Sequence, residues 1–284
     1  MWYLPIQSNM LNSLAINNFS DDISIVGDYD VTGEVELYYL TSPHLKEYDL
    51  ENHELAYYRA KALIRLLNSI ILLTNNYAID YNSRILFEDK HGIRPVPPRK
   101  NDFTIVEYNQ LFSPFSNLMF EQSSTLSTNY IGDFISLAKE EDIVLETLMF
   151  FSLSTLDVLY FFINVYKIYE NITYNLEIPK NKNAYNKIRD NLDPDLRKYL
   201  DFFLLGSFSQ FANSKEGTGI FSRHGESHVP YDKEALDFNE IDYNIRNLII
   251  AWLNDKLRAK KGRYYKITYN KRPVEAMRDS DYEF

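Results

Sequence analysis

The hydrophobic pattern of this chain changes period once, and that change limits the possible folds more than any motif does. Up to about residue 120 the pattern mixes strand and helix; from Asn129 onward strand signals fade and helical spacing takes over. Asp22 to Thr41 reads as strand, interrupted by Gly27 and Gly33. Within it Val31, Gly33, Val35 and Leu37 alternate with Thr32, Glu34 and Glu36. Glu54 to Leu73 reads as a helix because Leu55, Ala62, Leu66, Ile70 and Leu73 recur at helical spacing, with Asn75-Asn76 as its stop. Ser83 to Glu88 and Phe103 to Tyr108 read as short strands on either side of a proline-rich loop, Pro95 to Pro98. Residues 1–120 are therefore expected to form a small sheet with one packed helix.

The second half predicts helices over 132–140, 142–172, 184–191, 194–213 and 239–259. The last is the cleanest: Ile241, Ile245, Leu248, Ile249 and Trp252 form one apolar stripe. Asn239 and Glu240 suit its start, and Lys256, Arg258 and Lys260 suit its negative end. The expected architecture is α+β, with an α+β domain over 1–120 and a helical bundle over 130–272. The boundary is expected in the Ser-, Asn- and Thr-rich stretch 113–129.

Composition excludes several classes. The chain has 284 residues, room for one large domain or two modest ones, and its 45% apolar content excludes wholesale disorder. Cysteine is absent, which removes disulfides, thiolate metal sites and cysteine nucleophiles and agrees with a reducing, cytoplasmic setting. The first residues lack the basic and apolar regions of a signal peptide. Thr147 to Tyr166 approaches the length of a membrane span, but Asp157 at its centre favours a buried helix of a water-soluble bundle.

The net charge of −10 argues against broad contact with nucleic acid. Yet residues 256–272 hold eight basic side chains and no acidic one: Lys256, Arg258, Lys260, Lys261, Arg263, Lys266, Lys271 and Arg272. Interleaved with Tyr264, Tyr265 and Tyr269, the strip reads either as contact with a phosphate backbone plus base stacking, or as a solvated helix end and an exposed tail.

One segment could carry chemistry: Ile220-Phe-Ser-Arg223-His224-Gly-Glu226-Ser-His228-Val-Pro-Tyr231. A histidine can take the proton of an RNA 2′-hydroxyl or give one to the leaving 5′-oxygen, while an arginine holds the phosphate and offsets its growing charge. No metal or cofactor is needed, and DNA lacks the attacking hydroxyl. The bland readings are that Arg223 pairs with a structural carboxylate and that His228 caps a helix or a turn before Pro230. Likewise Glu226 reads as solvated or as orienting a histidine, and Tyr231 as packed or as touching a base.

Arg223-His224-Gly-Glu-Ser-His228 resembles the motif of the HEPN superfamily of helical-bundle ribonucleases: an arginine, four to six residues, then a histidine, with a polar residue after the arginine. The resemblance covers about 130–260. It implies a HEPN-like helical bundle and a metal-independent endoribonuclease in which Arg223, His228 and His224 are catalytic. Lys260, Lys261 and Arg263, with Glu226 and Tyr231, would then contact RNA. It also implies a homodimer that joins two motifs in one cleft, and a role as a toxin or an antiphage abortive-infection effector with an antitoxin or activating partner. The rival expectation is a non-catalytic module that binds protein or nucleic acid. Phosphate-binding glycine loops, a serine-nucleophile elbow and a zinc helix are absent from the sequence. The acidic group Asp28, Asp30, Glu34 and Glu36 reads as a solvated sheet face rather than a metal site.

Overall fold

The structure is a computed structural model that describes residues 1–8, 11–29, 35–96, 109–111, 113–118, 128–156, 158–179, 181–219, 231 and 233–270. The chain divides into two compact units, Met1–Asp157 and Val158–Phe284. The first is α+β and the second helical among the described residues, so the chain is α+β as its pattern implies.

The sheet of the first unit is antiparallel. Its strands are β1 (Trp2–Gln7), β2 (Ser24–Tyr29), β3 (Val35–Thr41), β4 (Asp80–Tyr81), β5 (Ile85–Asp89) and β6 (Gly92–Val96). They run in the order β2-β3-β1-β5-β6, with β4 also paired to β1. The central strand β1 was not legible in the sequence. It alternates as a strand should, burying Trp2, Leu4 and Ile6, but Pro5 disguises it, since proline is rare inside a sheet. Pro5 lacks an N–H to give and uses its carbonyl, which accepts from the Asn82 amide at 2.9 Å. Pro95, expected in a loop, lies in the edge strand β6, where a missing donor costs little. The expected strand 22–41 resolves into β2 and β3. The alternation at Val31 to Glu34 and the strand expected at 103–108 lie outside the described residues.

Helix α1 (Leu11–Ile16) precedes β2, and α2 (His53–Leu72) forms where expected. Most of α2 is buried because it meets β1 and β3 as well as α3 (Tyr130–Glu140) and α4 (Asp142–Ser154). The division into two compact units falls after α4. Helical period does begin near Asn129, but the first two helices pack on α2 and complete its core. Asn129 caps α3 by accepting from the Gly132 amide at 2.9 Å, and Gly132 is obligatory: a Cβ there would lie 1.9 Å from the Phe19 carbonyl oxygen.

The helix expected over 142–172 is broken after Ser154. The Ser154 and Thr155 hydroxyls donate to the Phe151 and Ser152 carbonyls at 2.7 and 2.8 Å, bonds that compete with the helical ladder. The apolar stretch 147–166 is thus divided between α4 and α5 (Val158–Asn175), and no described helix is long and apolar enough to cross a membrane.

The second unit continues with α6 (Lys182–Ile188), α7 (Pro194–Leu204), α8 (Phe208–Asn213), α9 (Lys215–Thr218) and α10 (Phe238–Lys261). The helix expected over 194–213 stops at Leu204 because Gly206 turns its amide back to the Asp201 carbonyl at 3.3 Å. Helix α10 matches its stripe: Ile241, Ile245, Leu248, Ile249 and Trp252 are all fully buried. Asp237 caps its start, and Gly262, at φ 63°, closes its end. It packs on α7 and α5, where the Trp252 indole donates to Asn175 Oδ1 at 3.0 Å.

Both units use one local device. A buried helical asparagine donates to, and accepts from, the backbone of one residue in a returning segment, much as a neighbouring strand would. Asn68 holds Ile79 this way at 2.9 and 2.8 Å. Asn254 holds Tyr265 at 2.9 and 2.9 Å, and Asn247 holds Tyr269 at 3.2 and 2.9 Å.

Candidate functional site

Arg223, His224, Glu226 and His228 lie outside the described residues, but both ends of their segment are described. The segment leaves from α9, whose start is capped by Ser214: its Oγ accepts from the Gly217 amide at 3.1 Å. Gly219, at φ 60°, then turns the chain away. The chain returns at Tyr231, which is buried, edge-on to Phe211 at 5.2 Å, and donates to the Glu234 carbonyl at 2.7 Å. Tyr231 is thus packed, its ring against Phe211 of α8 and its hydroxyl on the Glu234 carbonyl.

The basic strip is more committed than its charge implies. Arg258 donates to Asp193 at 2.7 Å and lies 4.9 Å from the Tyr264 ring centre, while the Tyr264 hydroxyl donates to Asp195 at 3.1 Å. Burial pulls Asp193 upward, but hydrogen bonds from Arg258 and the Asp195 and Leu196 amides outweigh it and hold the carboxyl below its ordinary range. Neighbouring Asp255 is pushed up, first by burial and then by the Asp193 charge. Beyond Gly262 the chain runs back along α10, pinned by Asn254 and then Asn247. Tyr269 ends buried beneath the Arg246 guanidinium, 4.3 Å from its ring centre. The tail is therefore docked as far as Tyr269. Lys260 and Arg263 are exposed and Lys261 half-buried around the end of α10, each already engaged in a contact of its own.

A cleft of about 430 Å³ opens between α5, α7 and α8. Tyr169 and Phe203, stacked at 5.7 Å and 28°, belong to its floor, and Tyr166 is half-exposed beside them. Its rim carries Lys182, Gln210 and Lys233. Burial first, then the neighbouring Tyr166 and Glu170, pushes the Tyr169 hydroxyl up to about 12, so it stays protonated. Lys233 follows closely on Tyr231, so the cleft borders the return of the motif-bearing segment. Helix α7 starts at the Asp193–Arg258 pair and ends at the cleft, and its 11 residues measure roughly 16 Å. Charge runs pointed to the strip, but the cleft had no sequence signal because five separate segments build it.

A second group imitates a catalytic triad. In the first unit, His44 Nδ1 is 3.0 Å from Ser116 Oγ, and Nε2 is 2.8 Å from Asp22 Oδ1. The Ser116 amide also donates to Nδ1 at 3.0 Å, so that nitrogen is an occupied acceptor and cannot serve as base toward the hydroxyl. His44 is fully buried, so no substrate reaches it. Lys139 donates to the same Asp22 oxygen at 2.6 Å. Burial pushes Asp22 upward, but hydrogen bonds from His44 and Lys139 and the Lys139 charge outweigh it and lower its carboxyl. The group is a core polar network.

Among the described residues no cluster of histidine and carboxylate side chains could hold a metal ion. Compared with protein-family models, with curated proteins and with solved structures, the chain matches none of them, so its own residues carry the functional reading.

Proposed function

We propose that the chain is a metal-independent endoribonuclease of the HEPN type. The observation that carries this reading is the Arg223-His224-x3-His228 spacing in the segment between α9 and α10, just ahead of the long closing helix of a helical unit. His228 acts as general acid or base, Arg223 clamps the phosphate and His224 assists. The 2′-oxygen attacks phosphorus and loses its proton, while the bond to the 5′-oxygen breaks and that oxygen gains one. The products carry 2′,3′-cyclic phosphate and 5′-hydroxyl ends. Lys260, Lys261 and Arg263 supply backbone contact near the end of α10. In this reading the protein works in the cytoplasm as a homodimer that pairs two motifs, and serves as a toxin or antiphage abortive-infection effector under an antitoxin or activating partner.

The test is RNA cleavage in EDTA by the full chain, by His228→Ala and by Arg223→Ala, with folding checked by circular dichroism. Cleavage by the wild type that both substitutions abolish supports the reading. Equal cleavage by all three overturns it. RNA binding without cleavage by the wild type would instead favour the rival binding module.

A further inference from the structure

We infer that the cleft between α5, α7 and α8 binds one nucleotide unit, a planar base with its phosphate. The inference rests on the ribonuclease reading for its biological setting, but its evidence is separate. The volume of about 430 Å³ lies within the range of small-ligand sites. Tyr166 offers a half-exposed ring, edge-on to Tyr169 at 5.9 Å and backed by Phe208 at 6.4 Å and 24°, a surface suited to a base because every base has a π-face. Lys182 is fixed at the rim by a bond to the Leu205 carbonyl at 3.1 Å, which uses one of its three donors. Lys233 is a second exposed cation of the lining, against one carboxylate, Glu170, among the described residues, in a chain of net charge −10. That local reversal of sign favours a phosphate.

The polar lining fits a base edge. Gln210 and Asn213 bring amides, which can both donate and accept, and Glu170 can accept from an exocyclic amine. Asn213 Oδ1 is, among the described residues, the one buried side-chain polar atom without a hydrogen-bond partner. Buried acceptors are ordinarily satisfied, so this oxygen lacks an N–H donor; it is closed to the cleft as it stands, and a base reaches it only if the side chain turns outward. The unit could be a residue of an RNA strand or a free nucleotide, since both present this chemistry.

The test titrates the full chain by calorimetry with adenosine and uridine 5′-monophosphates, an RNA trinucleotide, ribose 5-phosphate and inorganic phosphate. We expect nucleotide binding at least tenfold tighter than ribose 5-phosphate or phosphate. The double variant Lys182→Ala/Lys233→Ala and, separately, Tyr166→Ala should each weaken it at least tenfold. The lysines are exposed, so their loss should leave the fold intact. Tighter binding of the trinucleotide assigns the cleft to RNA; equal affinities assign it to a free nucleotide. No binding by the wild type, phosphate binding as tight as nucleotide, or variants that bind like wild type would overturn the inference. His228→Ala separates the two readings: it should bind nucleotide normally. If it also cleaves RNA normally, the ribonuclease reading fails while the cleft stands.

Discussion

The Ser116–His44–Asp22 group of the first unit and the cleft of the second differ in their access to solvent. The first has residue types and distances that suggest catalysis, yet His44 is fully buried and its Nδ1 is taken by a backbone amide. The second has no catalytic look, yet it is open and rimmed by lysines. Proximity of reactive residue types is therefore no sign of catalysis where the group is closed to solvent. The two units are also alike in one way: each anchors a returning segment with a buried helical asparagine.

The largest expected effect separates the two histidine settings. His228→Ala should lower RNA cleavage by about 10²–10⁴-fold without loss of stability, the usual weight of a general acid or base. His44→Ala should instead destabilise the first unit, read as an earlier urea midpoint. If His228→Ala unfolds the protein, the histidine is structural like His44 and the contrast collapses.

Next come the two tryptophans, one in each core. Trp2 and Trp252 are both almost fully buried, and their indoles donate to the Tyr48 carbonyl and Asn175 at 2.9 and 3.0 Å. Each Trp→Ala change should cost about 3–5 kcal/mol in its own unit. The remaining tryptophan then reports the other unit by fluorescence. Two separated transitions would show units of independent stability; a single shared one would show coupling.

Acid should act on the Asp22 network. Because the folded state lowers the Asp22 pKa, its contribution is present above the unfolded value of about 3.9 and is lost as pH falls through the folded value. Asp22→Asn should be less stable than wild type at neutral pH, and the gap should shrink below about pH 4. A gap of constant size would mean that Asp22 does not stabilise through its charge.

The asparagine clasps should give smaller losses. Asn68→Ala, Asn247→Ala and Asn254→Ala each remove two bonds and leave backbone groups unpaired, at about 2 kcal/mol apiece. Amide exchange at Ile79, Tyr269 and Tyr265 should accelerate in the matching variant, and unchanged protection would refute the clasp. The smallest effect is Arg258→Ala, whose partly exposed pair with Asp193 is worth under about 1 kcal/mol.

Much of the fold was legible from local pattern. Helix α2 and helix α10 follow their apolar spacing to within a residue or two, and β5 follows its short apolar run. Strand β1 was missed because Pro5 argues against a central strand until a neighbour's amide is seen to use its carbonyl. The long helices expected over 142–172 and 194–213 were over-extended, since the Ser154-Thr155 and Gly206 breaks are milder than a proline. Asparagine is common throughout the chain, and only its position on the buried face of α2 and α10 distinguishes the clasps.

The sequence by itself determined the α+β class, the stripe that buries α10 and the Arg223–His228 spacing, because these depend on neighbours within a few turns of chain. Tertiary structure decided which core α3 and α4 complete, that Tyr231 is packed, that the basic tail is pinned along α10, and that a lysine-rimmed cleft opens between α5, α7 and α8. Those outcomes depend on contacts between residues far apart in sequence, whose partners no local pattern names.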